Sequence, residues 1–224
     1  SPPKPQFLGN RFFDNFDLNQ IKQFIDWTPF FQTYQLRGKY PNKDYPRIFD
    51  DEKVGPEARK LFEEATDLLN RIIENKWIHA SAVVGIYPAN QCGDDIDIWS
   101  LSDREKLQCK FFGLRQQLDT ESEEYLCISD FVAPAPYEDY IALFACQAGL
   151  GAEARMAEWN ARGEIDHSIM LEAVADRLAE AFAELLHLKI RKEWLGYAKS
   201  EDIPLASLLK VKYQGIRPAP GYPS

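Results

Sequence analysis

The sequence has few of the residues that build metal centres and disulfide frameworks. It contains three histidines and four cysteines in 224 residues, and the cysteines form no C-x-x-C pair. His79, His167 and His187 are isolated and lack the spacing of metal ligands. We therefore expect no metal site, and we interpret the cysteines as reduced thiols of a cytoplasmic protein.

Long apolar runs and an excess of positive charge are also lacking. No apolar run approaches the ~20 residues that a membrane-spanning helix needs. The first residues lack the apolar centre of a signal peptide. The net charge of −9 opposes binding to the phosphate backbone of nucleic acids. The sequence therefore predicts neither a membrane partner nor a nucleic-acid partner.

The motifs of several enzyme classes do not occur. There is no G-x-S-x-G elbow, no Walker loop and no Rossmann G-x-G-x-x-G. The acidic stretch Gly93-Asp94-Asp95-x-Asp97 lacks the rest of a calcium loop and is explained better by a hairpin turn. None of these motifs assigns a catalytic residue.

Hydrophobic residues make up 45% of the chain, enough for one domain with a substantial core. Helical spacing of apolar residues predicts a long helix from Gly55 to Asn75 and another from about His167 to Trp194. The middle of the chain favours strands, and their short connections favour antiparallel pairing. The predicted strands cover residues 81–87, 95–99, 109–114, 125–131 and 140–147, with a turn at 88–94. This order predicts an α+β domain.

Smaller elements are predicted near both ends. A short helix should run from about Asp17 to Asp26, and a second should begin at Thr28-Pro29 with threonine as its cap. Ser200 is the expected cap of a last helix. We interpret residues 1–10, with their prolines, as an interdomain linker or an artificial edge of the chain, and residues 11–224 as the domain.

The C-terminal segment 215–224 is the most unusual stretch. Its prolines restrict the backbone, so its path should be rigid without regular secondary structure. Such a segment is suited to presenting main-chain groups, Arg217 and Tyr222 to a ligand, with Gly221 allowing close approach. The alternative is a proline-rich tail that only ends a helix.

Two further places carry charged side chains in suggestive settings. Asp26 lies in an aromatic stretch between two predicted helices, where it is either a helix cap or a ligand carboxylate. Arg177, Glu180 and Glu184 share one stripe of the long helix, where an ion pair within the helix is the ordinary alternative to a binding role.

Taken together, seven stretches in order along the chain resemble the activation domain of cobalamin-dependent methionine synthase. They cover nearly the whole chain, and a match in seven separate places is more specific than any single motif. The stretches are 25–31, 36–41, 84–89 with 94–96, 114–117, 129–134, 175–184 and 212–223.

The resemblance implies a C-shaped α+β domain, in which helices flank a twisted antiparallel sheet, that binds S-adenosylmethionine (AdoMet). In that family the domain docks over cobalamin, which another domain or chain binds. It supports the reductive methylation of cob(II)alamin to methylcobalamin, while a flavodoxin-type partner supplies an electron. The parent enzyme is the 5-methyltetrahydrofolate–homocysteine methyltransferase of methionine biosynthesis, and this chain alone should not turn over.

The resemblance also implies roles for individual residues. Arg217 would pair with the methionyl carboxylate of AdoMet. Asp26 and Glu180 would face the cationic ammonium and sulfonium groups, while Tyr222 and the backbone from Ala219 to Gly221 would line the pocket. Positioning is the main contribution expected from the protein, so no catalytic acid or base is predicted.

The family's domain usually continues past the Gly-Tyr-Pro tail, whereas this sequence stops at Ser224. The C-terminal part of the family domain is therefore expected to be absent. One alternative is a short module that docks on a corrinoid protein and no longer binds AdoMet. A second is a different corrinoid-linked or AdoMet-dependent methyltransferase built on the same fold.

Overall fold

The computed structural model describes residues 2–117 and 124–219, and within them helices and strands are mixed. The helices are α1 (Leu18–Ile21), α2 (Thr28–Thr33), α3 (Gly55–Asn75), α4 (Ala152–Ala161), α5 (Ile165–Lys189) and α6 (Leu205–Leu208). The strands are β1 (Gly9–Phe13), β2 (His79–Cys92), β3 (Asp95–Ser100), β4 (Asp103–Phe111) and β5 (Asp139–Leu150). The α+β class predicted from the sequence is confirmed. None of the described helices is long and apolar enough to cross a membrane.

The strands form a five-stranded sheet with the order β1-β2-β3-β4, in which β5 also pairs with β2. β2 and β3 run antiparallel, with Ala89 opposite Ile98, and β3 and β4 do the same, with Ile96 opposite Phe111. Gly93 has a φ of +66° in the two-residue turn between β2 and β3, a conformation that favours glycine. The predicted antiparallel sheet and its hairpin are therefore confirmed.

The chain packs into two compact units, and β2, β5 and α5 each contribute residues to both of them. The first unit takes in the described residues among 1–12, 83–145 and 186–224. A buried cluster lies on its sheet, with half-buried hydrophobic side chains packed against it. The cluster comprises Ala89, Ile96, Ile98 and Val132, and the side chains around it are Tyr87, Phe111, Ile128 and Ile141. Alternation along β3 places Ile96 and Ile98 on this face together.

The second unit takes in residues 13–82 and 146–185 and is organised around α3. This helix begins at Gly55 with a proline in its first turn, and it ends at Asn75, before Lys76 in the left-handed conformation. The sequence predicted both ends correctly. Its Phe62 ring contacts the rings of Trp27, Tyr45 and Phe49, with centroids 5.1–5.5 Å apart.

One strand prediction and one turn prediction were wrong in the middle of the chain. Residues 125–131 do not form a strand, because the Asp130 carboxylate accepts a hydrogen bond from the Cys127 amide at 2.8 Å and favours a local 3₁₀ turn. The predicted turn at 88–94 is mostly strand. There the Asn90 amide donates to the carbonyls of Ala133 and Tyr137 and accepts from the Trp99 indole, which keeps β2 extended to Cys92.

The helix ends also differ from two expectations. Ser200 does not cap the last helix, since Pro204 disfavours a helical conformation at the residue before it and α6 begins only at Leu205. The long helix changes character after Lys189 into a π-helical turn, Ile190–Trp194. In that turn the Leu195 amide donates to the Ile190 carbonyl at 2.9 Å.

Candidate functional site

The C-terminal segment of the first unit carries four of the six predicted ligand contacts. Arg217 is half-buried and Ala219 is exposed. Gly221 and Tyr222 lie outside the described residues, so their roles stay predictions. Just before this segment the chain contacts a cluster that the sequence did not point to.

A fully buried arginine at the end of α5 is the centre of that cluster. Arg191 has no solvent-exposed surface, and its guanidinium donates to Glu201 through Nε at 3.0 Å and through Nη2 at 2.6 Å. The Glu201 side chain is only 6% exposed. Because both charges are desolvated, each depends on the other, and this bidentate pair fastens residue 201 to the end of the helix.

His187 lies one helical turn before Arg191 and shares its guanidinium. Arg191 Nη1 lies 2.9 Å from His187 Nδ1. Arginine can only donate, so Nδ1 must accept and the proton of the neutral ring resides on Nε2. Burial lowers the pKa of His187 to about 3, with further contributions from the positive charges of Arg191 and Arg217. This histidine is therefore a neutral hydrogen-bond acceptor at ordinary pH.

Tyr213, two residues before the C-terminal segment, covers the same two side chains. Its ring meets the His187 ring edge to face, with centroids 4.7 Å apart, and the guanidinium carbon of Arg191 lies 4.2 Å from its centroid. A cation over an aromatic face is attracted by the negative charge of that face. The contact fixes the chain four residues before Arg217.

The chain approaches a buried tyrosine closely two residues before Arg217. Gly215 has a φ of +89°, and a Cβ built there would lie 2.8 Å from the Tyr197 hydroxyl oxygen. Glycine therefore permits both the backbone conformation and the close approach of the phenol. Burial raises the pKa of Tyr197 to about 12, which keeps its hydroxyl neutral.

Arg217 lies near these contacts. Its positive charge is close enough to His187 to lower that residue's pKa. A guanidinium presents a planar set of donors that matches a carboxylate or phosphate, and it stays charged at any physiological pH. Chemically, this end of the first unit can therefore hold an anionic group.

Asp26 lies in the second unit, immediately before α2. Its Oδ1 accepts a hydrogen bond from the Thr28 amide at 2.9 Å, and the residue is half-buried. The expected cap by Thr28 is wrong, because Thr28 is already inside α2 and its hydroxyl accepts from the Tyr45 amide at 3.2 Å. Asp26 thus satisfies the amide near the start of α2. A ligand role for its carboxylate stays a prediction.

Glu180 also belongs to the second unit, on the exposed side of α5. The next two residues, Ala181 and Phe182, are buried, so α5 faces its own unit there and turns Glu180 outward. An exposed carboxylate is available to a cationic group without a large desolvation cost. Its proposed contact with a ligand stays a prediction.

A second charged cluster, also in the first unit, was likewise missed by sequence reasoning. Arg115 donates to both oxygens of Asp130 at 2.8 and 2.9 Å, and it contacts Asp94 at 2.8 Å. The hydrogen bond from Arg115 lowers the pKa of Asp130 to about 2, helped by the Cys127 amide. All three charged residues lie in stretches that carry the family resemblance. Their pairing ties the loop after residue 124 to the hairpin turn.

Comparison with known proteins agrees with this architecture. The family model described as "Vitamin B12 dependent methionine synthase, activation domain" matches residues 17–224. The crystal structure of the MetH reactivation domain bound to AdoHcy is similar over 100% of this chain and 67% of that chain, with a TM-score of 0.91 and 42% sequence identity. The match spans both compact units and the segment that holds Arg217. The chain therefore belongs to the family of activation domains of vitamin B12-dependent methionine synthases.

Proposed function

We propose that the chain binds AdoMet, and its product S-adenosylhomocysteine (AdoHcy), through the C-terminal segment. The observation that carries this proposal is the similarity along the whole chain, at 42% identity, to a reactivation domain with AdoHcy bound. Arg217 supports it independently, since a half-buried guanidinium suits the carboxylate shared by both ligands.

Each residue has a role that its chemistry suits. Arg217 pairs with the methionyl carboxylate, and Asp26 and Glu180 face the ammonium and sulfonium charges. Ala219 and Gly221 offer main-chain groups, and Tyr222 packs against the ligand. All of these groups bind and orient the ligand. None is required as an acid or a base, because positioning is the main demand of this reaction.

We further propose that the chain supports the reductive methylation of cob(II)alamin within methionine synthase, a 5-methyltetrahydrofolate–homocysteine methyltransferase. AdoMet, when bound, supplies an already activated methyl group. Cobalamin is held by the cobalamin-binding domain, and a flavodoxin-type protein supplies the electron. The residues of this chain orient the sulfonium and carry no part of the redox chemistry.

Calorimetric titration with AdoMet tests the binding proposal. Arg217→Ala should weaken binding by about tenfold or more, or about 1.4 kcal/mol. Arg217→Lys should recover part of that loss, because it keeps the charge but not the fork of donors. Arg162→Ala is the matched control, since Arg162 is exposed on the second unit and pairs with Glu158.

An Arg217→Ala variant that binds as tightly as the wild type would contradict the role given to Arg217. A wild-type chain that binds neither AdoMet nor AdoHcy would contradict the proposal as a whole. In that case a titration with the isolated cobalamin-binding domain of a methionine synthase would test the alternative of a docking module.

A further inference from the structure

We infer that His187, Arg191, Glu201 and Tyr213 form a positioning cluster that sets the place of Arg217 for its ligand. The inference rests on the proposed binding of AdoMet and extends it to residues that need not touch the ligand. The cluster belongs entirely to the first unit, at the point where α5 ends and the C-terminal segment returns to it.

Arg191 is suited to holding the chain and not the ligand. It is fully buried, and its donors are directed to Glu201 and His187. A ligand carboxylate would have to displace Glu201, which is itself 6% exposed and would then be a buried charge without its partner. Two arginines thus have separate tasks in this region, with Arg191 holding the chain and Arg217 assigned to the ligand by the proposed function.

The π-helical turn brings the cluster together. His187 and Arg191 are four residues apart and lie on one face of α5 as it runs into the turn. After the turn the Ala198 amide donates to the Arg191 carbonyl at 3.0 Å, so the chain reverses beside the arginine. Glu201 then reaches the guanidinium from the returning chain. π-Helical turns often occur at functional sites.

Tyr213 transmits the position of the cluster to Arg217. Its ring packs against His187 and lies over Arg191, while Gly215 closes against Tyr197 two residues later. Between Gly215 and Arg217 there is one residue, so the backbone at Arg217 has little freedom to move. A guanidinium held in place binds a carboxylate more tightly, because less conformational entropy is lost on binding.

The first measurement is the NMR order parameter of the backbone amides without any ligand, which reports fast motion whether or not an amide is hydrogen-bonded. Tyr213→Leu should lower the order parameters across 214–217 from about 0.85 to below about 0.6, whereas Tyr213→Phe, which keeps the ring, should retain the wild-type values. The melting temperature and far-ultraviolet circular dichroism of both variants confirm that they are folded. If the order parameters of this segment are the same in Tyr213→Leu and the wild type, the cluster does not position it and the inference is wrong.

The second measurement is the affinity for AdoHcy, which carries the same carboxylate as AdoMet. Tyr213→Leu should weaken binding about tenfold and Tyr213→Phe less than twofold. In the Arg217→Ala background the effect of Tyr213→Leu should fall to less than threefold, because the two residues act through one contact. Equal effects of Tyr213→Leu in both backgrounds would overturn the inference.

Gly215→Ala provides a second test should Tyr213→Leu fail to fold. The added methyl would crowd the Tyr197 hydroxyl and should also weaken AdoHcy binding, and Tyr197→Phe should restore part of it by removing that oxygen. Absence of binding by the wild type would refute the proposed function. Normal wild-type binding, with no loss in either variant, would refute only the positioning inference.

Discussion

Two arginines in the first compact unit hold a carboxylate with both arms of the guanidinium, but in opposite surroundings. The side chains of Arg191 and Glu201 are 0% and 6% exposed, whereas those of Arg115 and Asp130 are each 31% exposed. The donor–acceptor distances are alike, 2.6 and 3.0 Å in the buried pair and 2.8 and 2.9 Å in the exposed pair. Geometry alone therefore does not tell the two pairs apart.

Burial decides what each pair does for the protein. Water can replace a lost partner of Arg115 or Asp130, but it cannot reach the Arg191 cluster without opening it. The pair Arg115–Asp130 joins a loop to a hairpin turn, and the buried pair joins the end of α5 to residue 201 on the returning chain. Similar contacts can thus order a loop in one place and support a proposed binding region in another.

The largest expected effect comes from removing the buried arginine. Arg191→Met should lower the free energy of unfolding by about 3–5 kcal/mol, because Glu201 stays buried without its partner. Arg115→Met should cost much less, because water can solvate Asp94 and Asp130. Urea unfolding at pH 7 measures both losses.

The double variant Arg191→Met/Glu201→Leu is the control for this first prediction. It removes both buried charges and should recover most of the stability lost in Arg191→Met, since an apolar pair of similar volume needs no compensation. A loss in Arg115→Met as large as that in Arg191→Met would contradict the distinction drawn between the pairs.

The second prediction separates the two clusters by pH. The pKa of His187 falls from 6.5 to about 3 on folding, and that of Asp130 falls from 3.8 to about 2. Each group binds protons more readily in the unfolded chain, so each contribution to stability is present above the unfolded pKa and is lost as pH falls. The His187 loss should begin near pH 6.5, at about 1.4 kcal/mol per pH unit, and the Asp130 loss only below pH 4.

Urea unfolding of the wild type and of His187→Gln between pH 7.5 and 4.5 measures the histidine's part. Glutamine can still accept from Arg191 but does not titrate. The wild type should therefore lose stability relative to the variant as pH falls. The neighbours of the ring, Arg191, Arg217 and Tyr213, are the same in both proteins. Parallel curves for the two proteins would show that His187 is not kept neutral by its surroundings.

The third and smallest prediction compares glycines beside the two clusters. Gly93→Ala should cost about 1 kcal/mol, because alanine disfavours a positive φ but the added Cβ meets no atom within 4 Å. Gly215→Ala should cost about 1 kcal/mol more, because its Cβ also crowds the Tyr197 oxygen. Thermal unfolding measures both losses of stability. Equal losses would mean that the C-terminal segment moves away from Tyr197 at no cost and is not held there.

Much of the fold could be predicted from the sequence where local and global preferences agree. The ends of α3 were predicted correctly, because a proline in the first turn and a long apolar stripe point to one helix. Period-two alternation at 95–99 likewise predicted β3. The prediction of a strand at 125–131 was wrong, because an aspartate bonded to its own turn outweighed the apolar composition.

The candidate site was predictable to a different degree. Arg217, Ala219, Gly221 and Tyr222 were predicted from their unusual segment together with the family resemblance. Asp26 and Glu180 were predicted from their charged settings together with the same resemblance, and all six ligand roles stay predictions. The Arg191 cluster was not predicted. Its only local signal is the spacing of His187 and Arg191 by one helical turn, which many surface helices share.

By itself, the sequence determined the fold class through its periodicity and the family through its short motifs, while the binding roles of individual residues stay predictions. Only the tertiary structure decided that Arg191 is buried while Arg115 is half exposed, and that His187 accepts a hydrogen bond. These are differences in how far each side chain is removed from water, which depends on every neighbour that folding brings around it. No local stretch of sequence specifies that set of neighbours.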